Sequence, residues 1–592
     1  MSRSLALLLV AALAAHGAGL RNGFVYDDHR FITANLRLAS ARPAELVLDP
    51  TTQTADNDRD VWRPLRALGH RLDLQAGLGA FGFHLHSVIV HLLAVALGYA
   101  LLQRLLPPPA EAPALFGALV LAVHPLGVEA VGFLSSRGDE YALAFSLLAL
   151  LAAVRLADAR TRSGALAWLL AAAASAFLAC LGKESAACLP LIALLACRLL
   201  GRPRTWAVVA LGAGIVAALV MRQVVLAGLS PAQTTPHGGD LVAQAGWALY
   251  GTGRTLLHVL WPASLSVDYV QDAWVAGAPV WVRPFTLGAV ALLILALALR
   301  RRAPVPAFLL GWALLAYLPS SSLLVTLRSL VSDRGAYPLL LPLGALAGLP
   351  LVGRPRARAV GAGLLVLLLV PLAARRTAAF HDDASLWRAT LREEPRSVRA
   401  HLGLAQAAAA RDSEVQGLEL RAALAVAAPG SRQEATALFA WGDWLLRVAG
   451  RTAEAVPALE RALLLLRAWR DRAWPLADEA PTVASLAEAL TLLGRHGEAD
   501  ALLVAALAEQ PGSVLLHVQR AGLALWQWEH SGEPAALGTA ASAWKAAERL
   551  APDSQVVLAL GQRISQSLKD AASPAQGSTP ATDGGPATDG GS

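Results

Sequence analysis

Two adjacent carboxylates, Asp27 and Asp28, follow the first apolar segment of the chain in the run Tyr26-Asp27-Asp28. Charged groups at the mouth of a bilayer-embedded bundle are costly to place and mark function. A carboxylate there is the group needed to take a proton from an incoming hydroxyl. A series of ionisable residues follows: Arg63 in Trp62-Arg63-Pro64-Leu65, His124 before Pro125, Glu129, then Arg137 and Asp139 in Ser136-Arg137-Gly138-Asp139-Glu140. Lys183-Glu184, Asp268-Tyr269 and Asp333-Arg334 with Tyr337-Pro338 complete it. Arg137, Lys183 and Arg334 are among its fixed cations: arginine can clamp an oxyanion with two donors, whereas lysine acts as a point charge.

Each residue alone has a plainer reading. Asp27-Asp28 could form a solvated turn or a helix cap, and Lys183-Glu184 could be a self-satisfied ion pair. Asp268-Tyr269 could cap a surface helix, with Trp261 and Trp274 as interfacial anchors. Asp56, Asp58 and Asp60 alternate like cation ligands but lack the glycine and glutamate of a calcium loop. His84, His86 and His91 lack the four-residue spacing of a helical metal pair. No metal site is expected, although a divalent cation is compatible with the acids. The weight lies in co-location, which depends on the elements that carry the series.

Those elements are membrane helices. The 592 residues are 55% hydrophobic and only 16% charged, with a net charge of +7, against about 25% charged in a soluble domain. About eleven segments are long and apolar enough to span, near 4–20, 84–103, 113–133, 141–157, 164–182, 185–200, 206–228, 282–299, 305–326, 336–352 and 359–375. Arginine clusters at Arg155–Arg162, Arg198–Arg204, Arg300–Arg302 and Arg354–Arg358 occupy alternate connections, so these face the cytoplasm by the positive-inside rule. The opposite face then holds the 21–83 loop, the 229–281 loop and the ionisable series. Arg375 and Arg376, at the last exit, break the rule. The first segment reads equally as a retained helix or a cleaved signal. Cys180, Cys188 and Cys197 fall in apolar stretches and imply no disulfide framework.

From about 380 amphipathic helices take over. Gly450-Arg451-Thr452-Ala453-Glu454-Ala455 returns as Gly494-Arg495-His496-Gly497-Glu498-Ala499. The small, large and terminal-proline spacing of Ala499, Leu503, Ala506 and Pro511 recurs at Ala540, Trp544, Ala547 and Pro552, and more weakly at Ala405, Gly417 and Pro429. This predicts about four tetratricopeptide hairpins, which would bind extended peptides or partner domains. The domains are expected at 1–378, 379–570 and a disordered Ser/Thr/Pro/Gly tail at 571–592. The fold class is all-α: a polytopic membrane bundle followed by an α-solenoid.

Phe24-Val25-Tyr26-Asp27-Asp28, Trp62-Arg63-Pro64-Leu65, Ala122-Val123-His124-Pro125 with Glu129-Ala130, Ser136-Arg137-Gly138, Lys183-Glu184, Leu265-Ser266-Val267-Asp268-Tyr269, and Asp333-Arg334 with Tyr337-Pro338 occur in this order. Together they resemble the transmembrane and tetratricopeptide-containing O-mannosyltransferase family. The chain departs from the eukaryotic pattern in having few repeats and no second histidine after His124-Pro125. The resemblance implies a GT-C-type glycosyltransferase. It implies transfer of a hexose, mannose in the relatives, from a polyprenyl-phosphate donor to a hydroxyl outside the cytoplasm, such as a protein Ser or Thr. It places donor binding on Arg63, His124, Glu129, Arg137, Asp139, Lys183, Glu184, Asp268 and Arg334, and proton abstraction on Asp27 or Asp28, with Asp27 favoured because the motif places it first. Neighbouring residues in an extended segment point to opposite sides, so the other carboxylate is expected to be structural or to hold a cation. The Ala-, Leu- and Arg-rich composition suggests a bacterial inner membrane with periplasmic repeats. A non-catalytic scaffold would not need this ionisable series. A flippase would want polar residues at the midplane and paired halves.

Overall fold

The computed structural model describes residues 3–55, 61–201, 205–226, 240–270, 284–327, 329–470, 479–552 and 554–572. The acidic run at Asp56, Asp58 and Asp60, Trp274, Arg202, Arg204 and the tail beyond 572 lie outside them, as does much of the 229–281 loop. Helices form every regular element among the described residues. The chain divides into two compact units, one ending at Ala428 and one running from Pro429. The first unit therefore extends past the boundary expected at 378: the helices Asp383–Glu393, Val398–Ala408 and Ser413–Val426 belong to it.

The first unit is a polytopic membrane bundle. Six of its helices are long and apolar enough to cross a bilayer: Arg3–Arg21, Gly79–Leu105, Leu134–Ala157, Arg162–Gly182, Thr205–Val225 and Pro355–Ala379. The other expected spans are shorter or broken. The segment expected at 113–133 ends as a helix at Val123 and restarts at Gly127, because Pro125 removes a donor and disfavours helical backbone before it. That at 336–352 is split into Tyr337–Leu339, Leu340–Gly348 and Leu349–Leu351 around Pro338 and Pro350. A buried apolar cluster including Leu8, Leu102, Phe116, Leu119 and Leu341 joins these pieces. Irregular backbone at membrane depth is tolerated where protein covers it or where it lines a cavity. Here the breaks coincide with the charged motifs.

The two ends of the bundle differ. One gathers Arg104, Asp158 and Leu200 around a common pocket, with Arg358 on Glu111 at 2.7 Å. The other carries the residues described below.

The second unit is a run of antiparallel helices from Arg432–Arg447 to Gln555–Ala572, cored by Leu445, Leu459, Leu486 and Leu503. The repeated hexapeptides form the same turn twice. Gly450 and Gly494 take φ of 65° and 77°, which glycine adopts without a Cβ penalty. Arg451 then meets Glu454 and Arg495 meets Glu498 at 2.5 and 2.7 Å.

Candidate active site

Tyr26-Asp27-Asp28 is a tight turn in which the two carboxylates do part company. Asp28 is fully buried. Its Oδ2 accepts the Val25 amide at 3.1 Å, and its Oδ1 accepts the Ser135 amide at 2.7 Å and the Ser135 hydroxyl at 2.6 Å. It therefore holds the turn against the start of Leu134–Ala157, and meets serine rather than a cation. Burial pushes its carboxyl up to about 6, against the pull of those hydrogen bonds. Asp27 is half-buried and faces a cleft of about 180 Å³.

The turn is held from far along the chain. Tyr26 has φ of 49°, uncommon for a side chain of its size. The Asp383 carboxylate accepts the Tyr26 amide at 2.7 Å and contacts His29 Nε2 at 2.8 Å. The Tyr26 ring packs edge-on against Trp387 and stacks on Phe133.

Arg63 immediately precedes the helix Pro64–Ala76, which Pro64 starts with its φ already set. Its guanidinium reaches Glu184 at 4.0 Å, and Glu184 also meets Arg222 at 3.4 Å. Gly138 lets two helix ends approach, since a Cβ there would lie 2.6 Å from the Gly182 carbonyl. The approach brings Asp139 into a direct ion pair with Lys183. The second Asp139 oxygen has no partner among the described residues.

His124 is engaged on both nitrogens. Nε2 meets the Val259 carbonyl at 2.9 Å and Nδ1 accepts the Leu126 amide at 3.2 Å. It fixes the break before the short helix that carries Glu129. Glu129 accepts the Arg334 amide at 3.2 Å and faces its guanidinium at 3.5 Å. Arg334 also donates to Ser136 Oγ at 3.3 Å. Asp333 is held by the Tyr269 hydroxyl at 2.6 Å and by Arg376 at 3.3 Å. One residue before Tyr269, Asp268 binds the Ser397 hydroxyl at 2.7 Å and Arg399 at 2.9 Å.

The cleft thus gathers Asp27, Arg30, Glu129, Arg334 and Arg399, with Ser332 on its wall. The Ser332 hydroxyl has no partner among the described residues. Three guanidinium groups against two carboxylates favour an anionic guest. Asp139 also lines a small, separate apolar pocket of about 40 Å³ with Leu143, Leu147, Leu189, Ile192 and Trp312.

Not every expected residue faces this space. Arg137 is fully buried. It is bound to Asp73, to Ser87 Oγ at 3.2 Å and to the Phe83 carbonyl at 2.6 Å, which makes it a strut between helices. His84 meets the Gly23 carbonyl, His86 meets Asp73 and Tyr141, and His91 meets Tyr337. These three serve separate hydrogen bonds, and no candidate metal cluster occurs among the described residues. Asp383 and Arg399 were not expected. Their positions after the last span carried no motif, and only the fold brings them to Asp27.

No family model matches the chain. It is 37% identical over 137 residues to Protein O-mannosyl-transferase Tmtc1 of Drosophila melanogaster, covering 22% of this chain and 16% of that protein. It is 34% identical over 187 residues to Protein O-mannosyl-transferase Tmtc2 of the same organism, covering 30% and 19%. It is 32% identical over 160 residues to Protein O-mannosyl-transferase TMTC1 of Mus musculus, covering 26% and 17%. Over the matched length the chain is similar to these protein O-mannosyl-transferases. The matches span less than a fifth of each of these three relatives.

Proposed function

We propose that the protein is an inverting GT-C-type glycosyltransferase that moves a hexose, mannose by analogy with the relatives, from a polyprenyl-phosphate donor to a hydroxyl acceptor on the extracytoplasmic face. The observation that carries this reading is the separation of the two carboxylates: Asp28 is locked to Ser135 and Asp27 is left to a cationic cleft.

The donor's tail lies in the bilayer against the apolar helices of the bundle. Its phosphate sits among Lys183, Arg63 and Arg334, which lie close enough to influence one another electrostatically. The sugar then reaches toward Asp27. The acceptor oxygen attacks the anomeric carbon from the side opposite the phosphate, as a single displacement requires. The new C–O bond forms as the bond to the phosphate oxygen breaks. The acceptor proton passes to Asp27. The bonding pair leaves on polyprenyl phosphate, where Arg334 and Lys183 stabilise the growing charge.

The acceptor comes from the side of Val267 and Arg399, and protein Ser or Thr hydroxyls fit the names of the relatives. The helical hairpins beyond 379 act as tetratricopeptide repeats that present it. By composition the repeats lie in the periplasm of a bacterial inner membrane.

Proteoliposomes containing the purified protein and labelled polyprenyl-phosphate-mannose test the reading. It requires mannose in a base-labile link to Ser or Thr, together with release of polyprenyl phosphate. Hexose left entirely on the lipid across donors and acceptor peptides would refute it.

A further inference from the structure

Arg375 breaks the charge pattern of the spans, and the cleft does not use it. Its neighbour Arg376 is paired with Asp333. Arg375 is instead exposed on a separate groove of about 820 Å³, where the end of Pro355–Ala379 meets Asp383–Glu393 and the segment 262–265. Arg388 and Arg392 join it there, four residues apart and so on one face of their helix. Both are exposed. Among the described residues, no carboxylate forms an ion pair with any of the three. The groove's acids are Glu393 and Glu419, and the second is held by His401 at 2.7 Å.

The floor is apolar and continuous with the membrane helix. Leu372, one turn before Arg375, lines it together with Leu265, Leu391 and Leu404. No residue is shared with the Asp27 cleft.

We propose that this groove binds the phosphate headgroup of an anionic glycerophospholipid from the adjoining leaflet, with Arg375, Arg388 and Arg392 as its ligands. Cations above an apolar floor to which the membrane helix itself contributes Leu372 match an amphiphile, whereas an acidic peptide would need no such floor. Guanidinium groups clamp phosphate oxygens in pairs. Basic clusters beside membrane helices hold anionic headgroups in this way. The helix that supplies Arg388 and Arg392 also supplies Asp383, which holds Tyr26. An occupied groove therefore braces the turn that aims Asp27.

Binding is read without reference to transfer, so its outcome is independent of the glycosyltransferase reading. The purified full chain is placed in nanodiscs of phosphatidylcholine alone or with phosphatidylglycerol, and retained lipid is counted by native mass spectrometry. The wild type should retain phosphatidylglycerol and melt higher in its presence. Arg375→Gln/Arg388→Gln/Arg392→Gln should lose that preference, with retention falling about fivefold per arginine, while a control Arg104→Gln at the opposite end keeps it. If the triple variant does not fold, Arg388→Gln alone should show the single-residue loss. Equal retention by wild type and variants overturns the proposal. Displacement of phosphatidylglycerol by polyprenyl phosphate at much lower concentration, or by a soluble acidic peptide, overturns the assignment of the occupant.

Discussion

The Ser135 amide and hydroxyl both donate to one oxygen of Asp28, at 2.7 and 2.6 Å, across 107 residues of chain. This pair of hydrogen bonds from a single serine decides which of two adjacent carboxylates is free for chemistry. It pins the loop 21–83 to the first turn of Leu134–Ala157 and leaves Asp27 on the cleft.

Asp28→Ala should therefore damage the fold before it damages the reaction. It leaves the Val25 and Ser135 amides without an acceptor, at about 1–3 kcal/mol for each buried orphan. Thermal melting in detergent should show a loss of about 2–6 kcal/mol, with transfer falling in step with the folded fraction.

The same carboxyl gives a pH signature. Its folded value of about 6 lies above the 3.8 of a solvated aspartate, so the folded state holds the proton more tightly than the unfolded chain. That contribution is present below about 3.8 and is lost as pH rises through about 6. Its full size is about 3 kcal/mol, from roughly two units at 1.36 kcal/mol each. The stability of wild type relative to Asp28→Asn should fall between pH 4 and 6 and be flat above 7, as read by melting curves across that range.

Asp383→Ala should separate placement from folding. It costs about 1 kcal/mol of hydrogen bonding, but it releases the strained Tyr26 turn. Transfer should drop about tenfold or more, while the melting temperature changes little.

Arg334 supports the leaving phosphate in this account. Arg334→Gln should lower kcat about a hundredfold, the usual cost of removing a donor aimed at developing charge. Arg334→Lys should recover part of that loss, because it keeps the charge without the paired donors. Single-turnover transfer measures both.

Lys183→Met leaves Asp139 charged and unpaired in a mostly buried site, at about 3 kcal/mol. Adding Asp139→Leu should restore most of the stability and none of the transfer. A melting curve and a transfer assay on the double variant check the two halves.

Much of this site was legible in the sequence because its motifs sit at the breaks between apolar segments. His124-Pro125, Lys183-Glu184 and Tyr337-Pro338 each end or begin a helix at the same end of the bundle. The same prolines argued against unbroken spans, and counting apolar residues passed over them. Arg137 shows a different limit. A cation in a motif looks the same whether it meets a ligand or, as here, Asp73 and the Phe83 carbonyl. Asp383 and Arg399 were out of reach for a third reason. They lie more than 350 residues from Tyr26 and Asp27, in helices whose composition placed them with the repeats, and only tertiary packing brings Asp383 to the Tyr26 turn and Arg399 to the cleft.

The most direct test of the central claim compares Asp27→Asn with wild type in proteoliposomes carrying labelled polyprenyl-phosphate-mannose. Asp27→Asn should fold and retain the donor like wild type but transfer at least about a hundredfold more slowly, as loss of a general base entails. Transfer at the wild-type rate by folded Asp27→Asn would contradict it.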